Sequence, residues 1–262
     1  MTIQQAIKTA KTLLPLSGSV TRQQIEEAVD NVMAMPLYKE TDREELFREL
    51  QAFYNIRMDD FRIIESDERK RPWLNAWKAD RNHRWVFWER YGEYLQSEKN
   101  FANEVIGQLD KLTDRTLDSL FDPAENIGLH KYGLVVGQVQ SGKTANYTGL
   151  ICKAADAGFK LIIVLAGIHS NLRSQTQLRL DEGFLGFDTQ HQRAYDRNGI
   201  KIGVGHVNPD AVAHSLTSSL EQGDFTAAAA NSLGINFSTN EPILAVVKKN
   251  ARVLERLRTW LG

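Results

Sequence analysis

The chain of 262 residues sets 32 Lys plus Arg against 33 Asp plus Glu, a formal net charge of −1, with 42% hydrophobic and 25% charged residues. That balance describes a folded protein with room for one large or two modest domains, and it excludes disorder and a globally basic, nucleic-acid-coating chain. One cysteine, Cys152, excludes an internal disulfide framework or a multi-thiolate zinc site and fits a reducing cytoplasm; no apolar run has the length of a membrane span, so no membrane partner is expected.

The first 18 residues, "MTIQQAIKTAKTLLPLSG", have spaced apolar positions and two lysines but lack the apolar core and cleavage site of a secretory signal. In "TRQQIEEAVDNVMAMP", Ile25, Ala28, Val29, Val32 and Met33 repeat with helical period behind a capping box of Thr21 and Gln24, and Pro36 stops the pattern. A second capping box, Thr41 with Glu44, opens a helix whose Leu46, Leu50, Phe53 and Tyr54 share a face, which predicts a helical hairpin. The next segment concentrates Trp73, Trp77, Trp85, Trp88, Tyr91 and Tyr94 among arginines. Such a set can stack on single-stranded nucleic acid, but the helical spacing of Trp73 with Trp77 and of Trp88 with Tyr91, interrupted by Asp80 and Glu89, favours a buried helix pair. "NEVIGQLDKLTDRTLDSLFDP" predicts one or two further helices ending at Pro123.

Beyond Pro123 the texture changes to short β-rich runs, "YGLVVG", "LIIVLAG", "IKIGVGHV" and "PILAVV", alternating with helical or irregular stretches. Alternation of this kind predicts a mainly parallel sheet covered on both faces. The fold class is therefore α/β, with a helical N-terminal domain over 1–125 and a second domain over 126–262.

Gly137, Gly142, Lys143 and Thr144 fit G-x-x-x-x-G-K-[ST], with Leu134, Val135 and Val136 as the preceding strand. Tyr147, Leu150, Ile151, Ala154 and Ala155 supply the sheet-facing side of the following helix, and Gly158 its C-terminal cap. The glycines let main-chain N–H groups turn around a polyphosphate, and the helix start adds a positive dipole end. The expected cradle for ATP is Gly137, Gln138, Gln140, Ser141 and Gly142, continuing into Ala145 of the helix. Lys143 reaches the β and γ phosphates and the Thr144 hydroxyl ligates Mg²⁺, so these two are the expected catalytic residues.

Two strand-to-helix turns follow. "LIIVLAGIHSNLRSQTQLRL" puts Asn171 and Arg173 at the C-terminal edge of the sheet, where open α/β folds bind ligands. It resembles the L-x-x-Q turn of superfamily-two helicases, here Leu172, Arg173, Ser174 and Gln175, and "ILAVVKKNARVLERLRTWL" resembles the later turn of the same superfamily, with Lys248, Lys249 and Asn250. Together with "GQVQSGKTANY" and the upstream "LDKLTDRTLDSLFDP", these stretches resemble the Z-one domain family over roughly residues 105–262. The resemblance implies the first part of a RecA-like P-loop ATPase of helicase type, acting on DNA with nuclease and methyltransferase partners in bacterial restriction or anti-phage loci. It also implies that Asn171, Arg173, Lys248 and Lys249 touch a DNA strand. No apolar strand ending in Asp-Glu is recognisable, since Asp181 and Glu182 follow a polar helical stretch, so the sequence reads as an N-terminal fragment that binds nucleotide weakly and hardly turns it over. A nucleotide-sensing interaction module and a small-molecule kinase are the competing readings. Six scattered histidines offer no metal-binding spacing.

Overall fold

The structure, a computed structural model, describes residues 3–14, 20, 22–38, 41–55, 72–80, 82–125, 130–136, 143–235 and 238–262. Three helices come first: α1 (Ile3–Thr12), α2 (Arg22–Met33) and α3 (Arg43–Asn55). Their apolar faces meet in a core of their own, built on Ile7, Ile25, Val29, Val32, Leu46 and Leu50. Helix α3 is capped by Asp42 rather than Thr41, because the Asp42 carboxylate accepts the N–H groups of Glu44 and Glu45 (2.9 and 3.1 Å). The predicted cap at Thr21 and the face positions Phe53 and Tyr54 lie outside the described residues and side chains.

Helices α4 (Leu74–Ala79), α5 (Val86–Ser97) and α6 (Asn103–Asp118) form the next layer. The segment read as one or two helices is the single α6. Trp73, Trp77, Trp88, Tyr91 and Tyr94 are buried, as the core reading of the aromatic segment requires. Lys11 of α1 reaches this layer, where its Nζ donates to the carbonyls of Lys99 and Asn100 in the turn between α5 and α6 (3.4 and 2.9 Å).

Helix α7 (Lys143–Asp156) is followed by β1 (Leu161–Leu165), α8 (Ser170–Leu180) and a wide π-type turn, Asp181–Leu185. The short helix α9 (Val204–Val207), β2 (His214–Ser215), α10 (Ala227–Ser232), β3 (Ile243–Val247) and α11 (Ala251–Leu261) complete the order. The three strands form one parallel sheet in the order β1, β3, β2, with Leu161 opposite Ile243 and Leu165 opposite Val247. All five residues of the central β3 are buried, which explains a continuous apolar run there instead of alternation. Leu244 and Val246 join a core shared with α5 and α7, whereas Ile243, Ala245 and Val247 join one shared with α10 and α11. The first of these cores runs without a break from Phe87 and Leu109 to Ile151 and Phe184, across residue 125.

The fold is thus mixed α/β with a parallel sheet, and two of the four predicted strands differ. Leu134, Val135 and Val136 belong to no sheet among the described residues and stand open to solvent, Leu134 at 87%. "IKIGVGHV" gives one isolated bridge, Lys201 to Phe187, and then turns into α9. Its glycines explain the difference. Gly203 has φ +49°, and Gly205 lies so close to the Gly186 carbonyl that a Cβ there has no space. The two-residue β2 carries no apolar run and was not predicted.

Candidate functional site

Helix α7 begins at Lys143, directly after the glycine-rich stretch. The expected phosphate contacts of Gly137, Gln138, Gln140, Ser141 and Gly142 lie outside the described residues. Lys143 is exposed at the helix start, Thr144 is half-buried, and Ala145 is buried in the core beneath. Arg179, near the end of α8, donates from Nη1 to Thr144 Oγ1 (3.1 Å). No sequence pattern singled Arg179 out for this place. The hydroxyl expected to hold a metal therefore already meets a cationic group, one that is itself exposed.

The other end of α7 is fixed by two ionisable side chains, Lys153 and Asp156. Lys153 is wholly buried, and its Nζ donates to Asp110 Oδ1 and Asp114 Oδ1 of α6 (both 2.6 Å) and to the Asp110 carbonyl (2.8 Å). The indole of Trp88 lies beneath this ammonium, its ring centroid 4.5 Å away. Asp156, in the last turn, accepts the N–H groups of Phe87 and Trp88 (both 2.9 Å) and so caps α5, whose own N-cap residue, Trp85, offers no side-chain acceptor. Burial pushes the Asp156 carboxyl up to about 7, against the pull of those two N–H groups and of Arg90. Cys152 sits between these anchors, fully buried, as a small hydrophobe. Gly158 follows with φ +102°, the left-handed conformation of a C-terminal cap.

At the C-terminal edge of the sheet the turns after β1 and β3 are stitched together. Lys249 N–H donates to the Gly167 carbonyl (2.7 Å), and Lys248 Nζ lies 3.3 Å from Ser170 Oγ and 3.6 Å from the Asp224 carboxylate. Asn250 caps α11, its Oδ1 accepting Arg252 N–H (3.0 Å). Asn171 is exposed in the first turn of α8, and Lys249 is exposed beside it in this edge. Asn171, Lys248 and Lys249 are thus gathered on one edge of the sheet.

Arg173 is not among them, which corrects its assignment as a nucleic-acid contact. Its side chain is fully buried and its guanidinium donates inward, to the carbonyls of Ser218 (2.7 Å), Gly223 (3.5 Å) and Leu220. The residue clamps the 218–223 loop onto α8. Four residues on, Gln177 Nε2 donates to Asp181 Oδ1 (2.8 Å), while the Thr217 hydroxyl donates to Gln177 Oε1 (2.7 Å). Thr189 donates to Asp181 Oδ2 through its hydroxyl (2.5 Å) and its N–H (3.3 Å). Burial pushes the Asp181 carboxyl up to about 7, against these donors. Glu182 is engaged by Tyr94 Oη (3.1 Å) and Lys99 (3.4 Å). Neither acid of the Asp-Glu pair lies on a strand.

Buried Arg90, Lys153 and Arg173 escaped sequence reasoning because periodicity counts a charged residue as outward-facing. Arg90 donates to the carbonyls of Phe184, Asn208 and Ala211 and ties α5 to the turns around α9. Among the described residues no group of three or more His, Cys, Asp or Glu side chains is placed to hold a metal ion, and no helix is long and apolar enough to cross a membrane. No family model, curated protein or solved structure matches the chain.

Proposed function

We propose that the chain is the nucleotide-binding part of a DNA-stimulated, helicase-like ATPase or translocase of the RecA-like kind, serving a restriction or anti-phage complex with nuclease and methyltransferase partners, as its resemblance to the Z-one domain family implies. The observation that carries the reading is the run of G-x-x-x-x-G-K-T into α7, with Lys143 exposed at the helix start and the helix sharing one core with Leu244 and Val246 of the central strand. Lys143 places its ammonium on the β and γ phosphates of ATP. Thr144 offers a hard oxygen ligand suited to Mg²⁺, and the bound ion would neutralise charge across those phosphates. Arg179, exposed and held among the described residues by its bond to Thr144, gives way to the metal. The DNA backbone crosses the sheet edge at Asn171, Lys248 and Lys249, a path that omits Arg173.

A test is equilibrium binding of Mg-ATP to this chain by calorimetry, with and without Lys143→Ala. Loss of one charge-assisted contact weakens binding by roughly tenfold or more. An unchanged dissociation constant in the variant, or no heat at all with the unaltered protein, removes the nucleotide reading. The second reading, a nucleotide-sensing module, is favoured by the anchoring of α7 to α5 and α6 through Lys153 and Asp156, since occupancy at the head of α7 is then felt by the helical layer. Salt-dependent DNA binding supports the motor; ATP-dependent partner binding without any DNA effect supports the sensor.

A further inference from the structure

Helix α11 leaves the sheet edge with an arrangement of charge that its own dipole opposes. Lys248 and Lys249 precede its Asn250 cap, Arg252 sits in its first turn, and no acidic residue accompanies them there. Cations at the positive end of a helix are unfavourable, and among the described residues only Lys248 finds a carboxylate, that of Asp224. Arg256 follows one turn after Arg252, about 40° round the helix and so on the same flank. Both arginines are exposed, and neither forms an ion pair among the described residues. The acid on this helix, Glu255, is taken by Arg258 (2.6 Å), which lies about 160° round from Arg256, on the other flank. About 100° round from this flank α11 is committed to the core through Val253 and Leu257, which fixes the orientation of the arginine flank.

We infer that Lys249, Arg252 and Arg256 form a basic track for the phosphate backbone of a nucleic-acid strand, continuing along α11 from the sheet edge. The inference rests on the proposed nucleic-acid reading and reroutes it: the strand runs down α11, because Arg173 on α8 is spent on the 218–223 loop. From Arg252 to Arg256 the rise is about 6 Å, roughly two nucleotides at 3.4 Å along one strand, and Lys249 lies ahead of them before the Asn250 cap. The track offers point charges to the phosphate chain, and phosphate contacts carry no sequence information, so it recognises a strand without sequence preference.

The test is fluorescence anisotropy of a labelled 30-nucleotide single strand across a salt series, with the unaltered chain, the double variant Arg252→Ala with Arg256→Ala, and Arg258→Ala. All three positions are exposed, and circular dichroism melts check that the fold is kept. Two lost phosphate contacts lower the magnitude of the slope of log K against log salt by ~1.4. Arg258→Ala, which removes the same charge from the other flank, leaves the slope as it was. Three results overturn the inference: an unchanged slope in the double variant, an equal per-charge change in Arg258→Ala, or displacement of the strand by polyglutamate as effectively as by unlabelled DNA. If the double variant keeps its slope while the chain still binds DNA, the track alone fails; if the unaltered chain binds no DNA at low salt, the nucleic-acid reading fails and takes the track with it.

Discussion

Lys153→Met separates the anchoring of α7 from all other features of the fold. The methionine keeps most of the aliphatic stem against Trp88 but removes the ammonium that bridges Asp110 and Asp114 at 2.6 Å each. Removing one partner of a buried ion pair costs about 3–5 kcal/mol, chiefly because the stranded charge is left without compensation. Here the stranded acids are not sealed off: the Asp110 side chain is 42% exposed, and Asp114 keeps Lys78. The loss should therefore fall at the low end, about 3 kcal/mol. It would appear in urea unfolding as a lower midpoint with an unchanged slope. Adding Asp110→Asn to Lys153→Met removes one stranded charge and should return part of the loss, because the cost lies in the uncompensated carboxylates and not in the missing bonds. A single-variant loss under about 1 kcal/mol, the worth of a surface pair, would refute the claim that this cluster pins α7 to α6.

Asp181, pushed up to about 7 from 3.8, keeps a proton in the folded chain that the unfolded chain has released, so its contribution to stability is full below about pH 4 and is lost as pH rises through 7. Urea midpoints should fall between pH 5 and pH 8, and fall less in Asp181→Asn; the residual drop belongs to Asp156, shifted in the same direction, and an identical drop in both proteins would contradict the assignment. Arg179→Ala frees the Thr144 hydroxyl from a competing cation, so the Mg²⁺ concentration for half-maximal ATP binding should fall by roughly two- to tenfold, the worth of one exposed hydrogen bond. A rise in that concentration would mean that Arg179 assists metal loading.

The legible parts of this fold are those where one physical signal dominates. "ILAVV" became the central strand β3 because an apolar run of that length buries itself by pairing in a covered sheet, and "LIIVL" became β1 by pairing beside it, with Ile163 and Leu165 left exposed. "YGLVVG" carries the same signal, yet Leu134, Val135 and Val136 have no strand beside them among the described residues, and a strand exists only through its neighbours. In "IKIGVGHV" the apolar count hid two glycines whose task is close backbone crossing, Gly203 at Glu182 and Gly205 at Gly186. The misread cap is subtler: Thr41 and Asp42 both satisfy the preference for a short oxygen-bearing side chain, and only the backbone path decides which one faces the free N–H groups. Spacing and position named Lys143, Thr144, Asn171, Lys248 and Lys249 as candidates, and the structure puts the first two at the head of α7 and the other three at the sheet edge. Arg173 was misplaced and Arg179 missed, because a guanidinium reaches several ångströms beyond its helical register.

The hydrogen bonds of α8 give the two candidate sites a physical connection. Ser170 at its start touches Lys248 on the sheet edge, and Arg179 near its end touches Thr144 at the head of α7. Between these ends the helix is held by buried polar bonds that tolerate little drift: Arg173 grips the 218–223 loop, and Gln177 joins Thr217, whose hydroxyl also receives Val246 N–H from the central strand (2.9 Å). A helix of eleven residues, about 16 Å long and fixed at its middle, moves as a lever or not at all. A displacement of the helix body that parted Arg179 from Thr144 or Lys248 from Ser170 would be resisted by the same clamp at Arg173. Coupling between nucleotide and strand, if the two proposed sites act together, is therefore set by the stability of the 218–223 loop, which touches neither ligand.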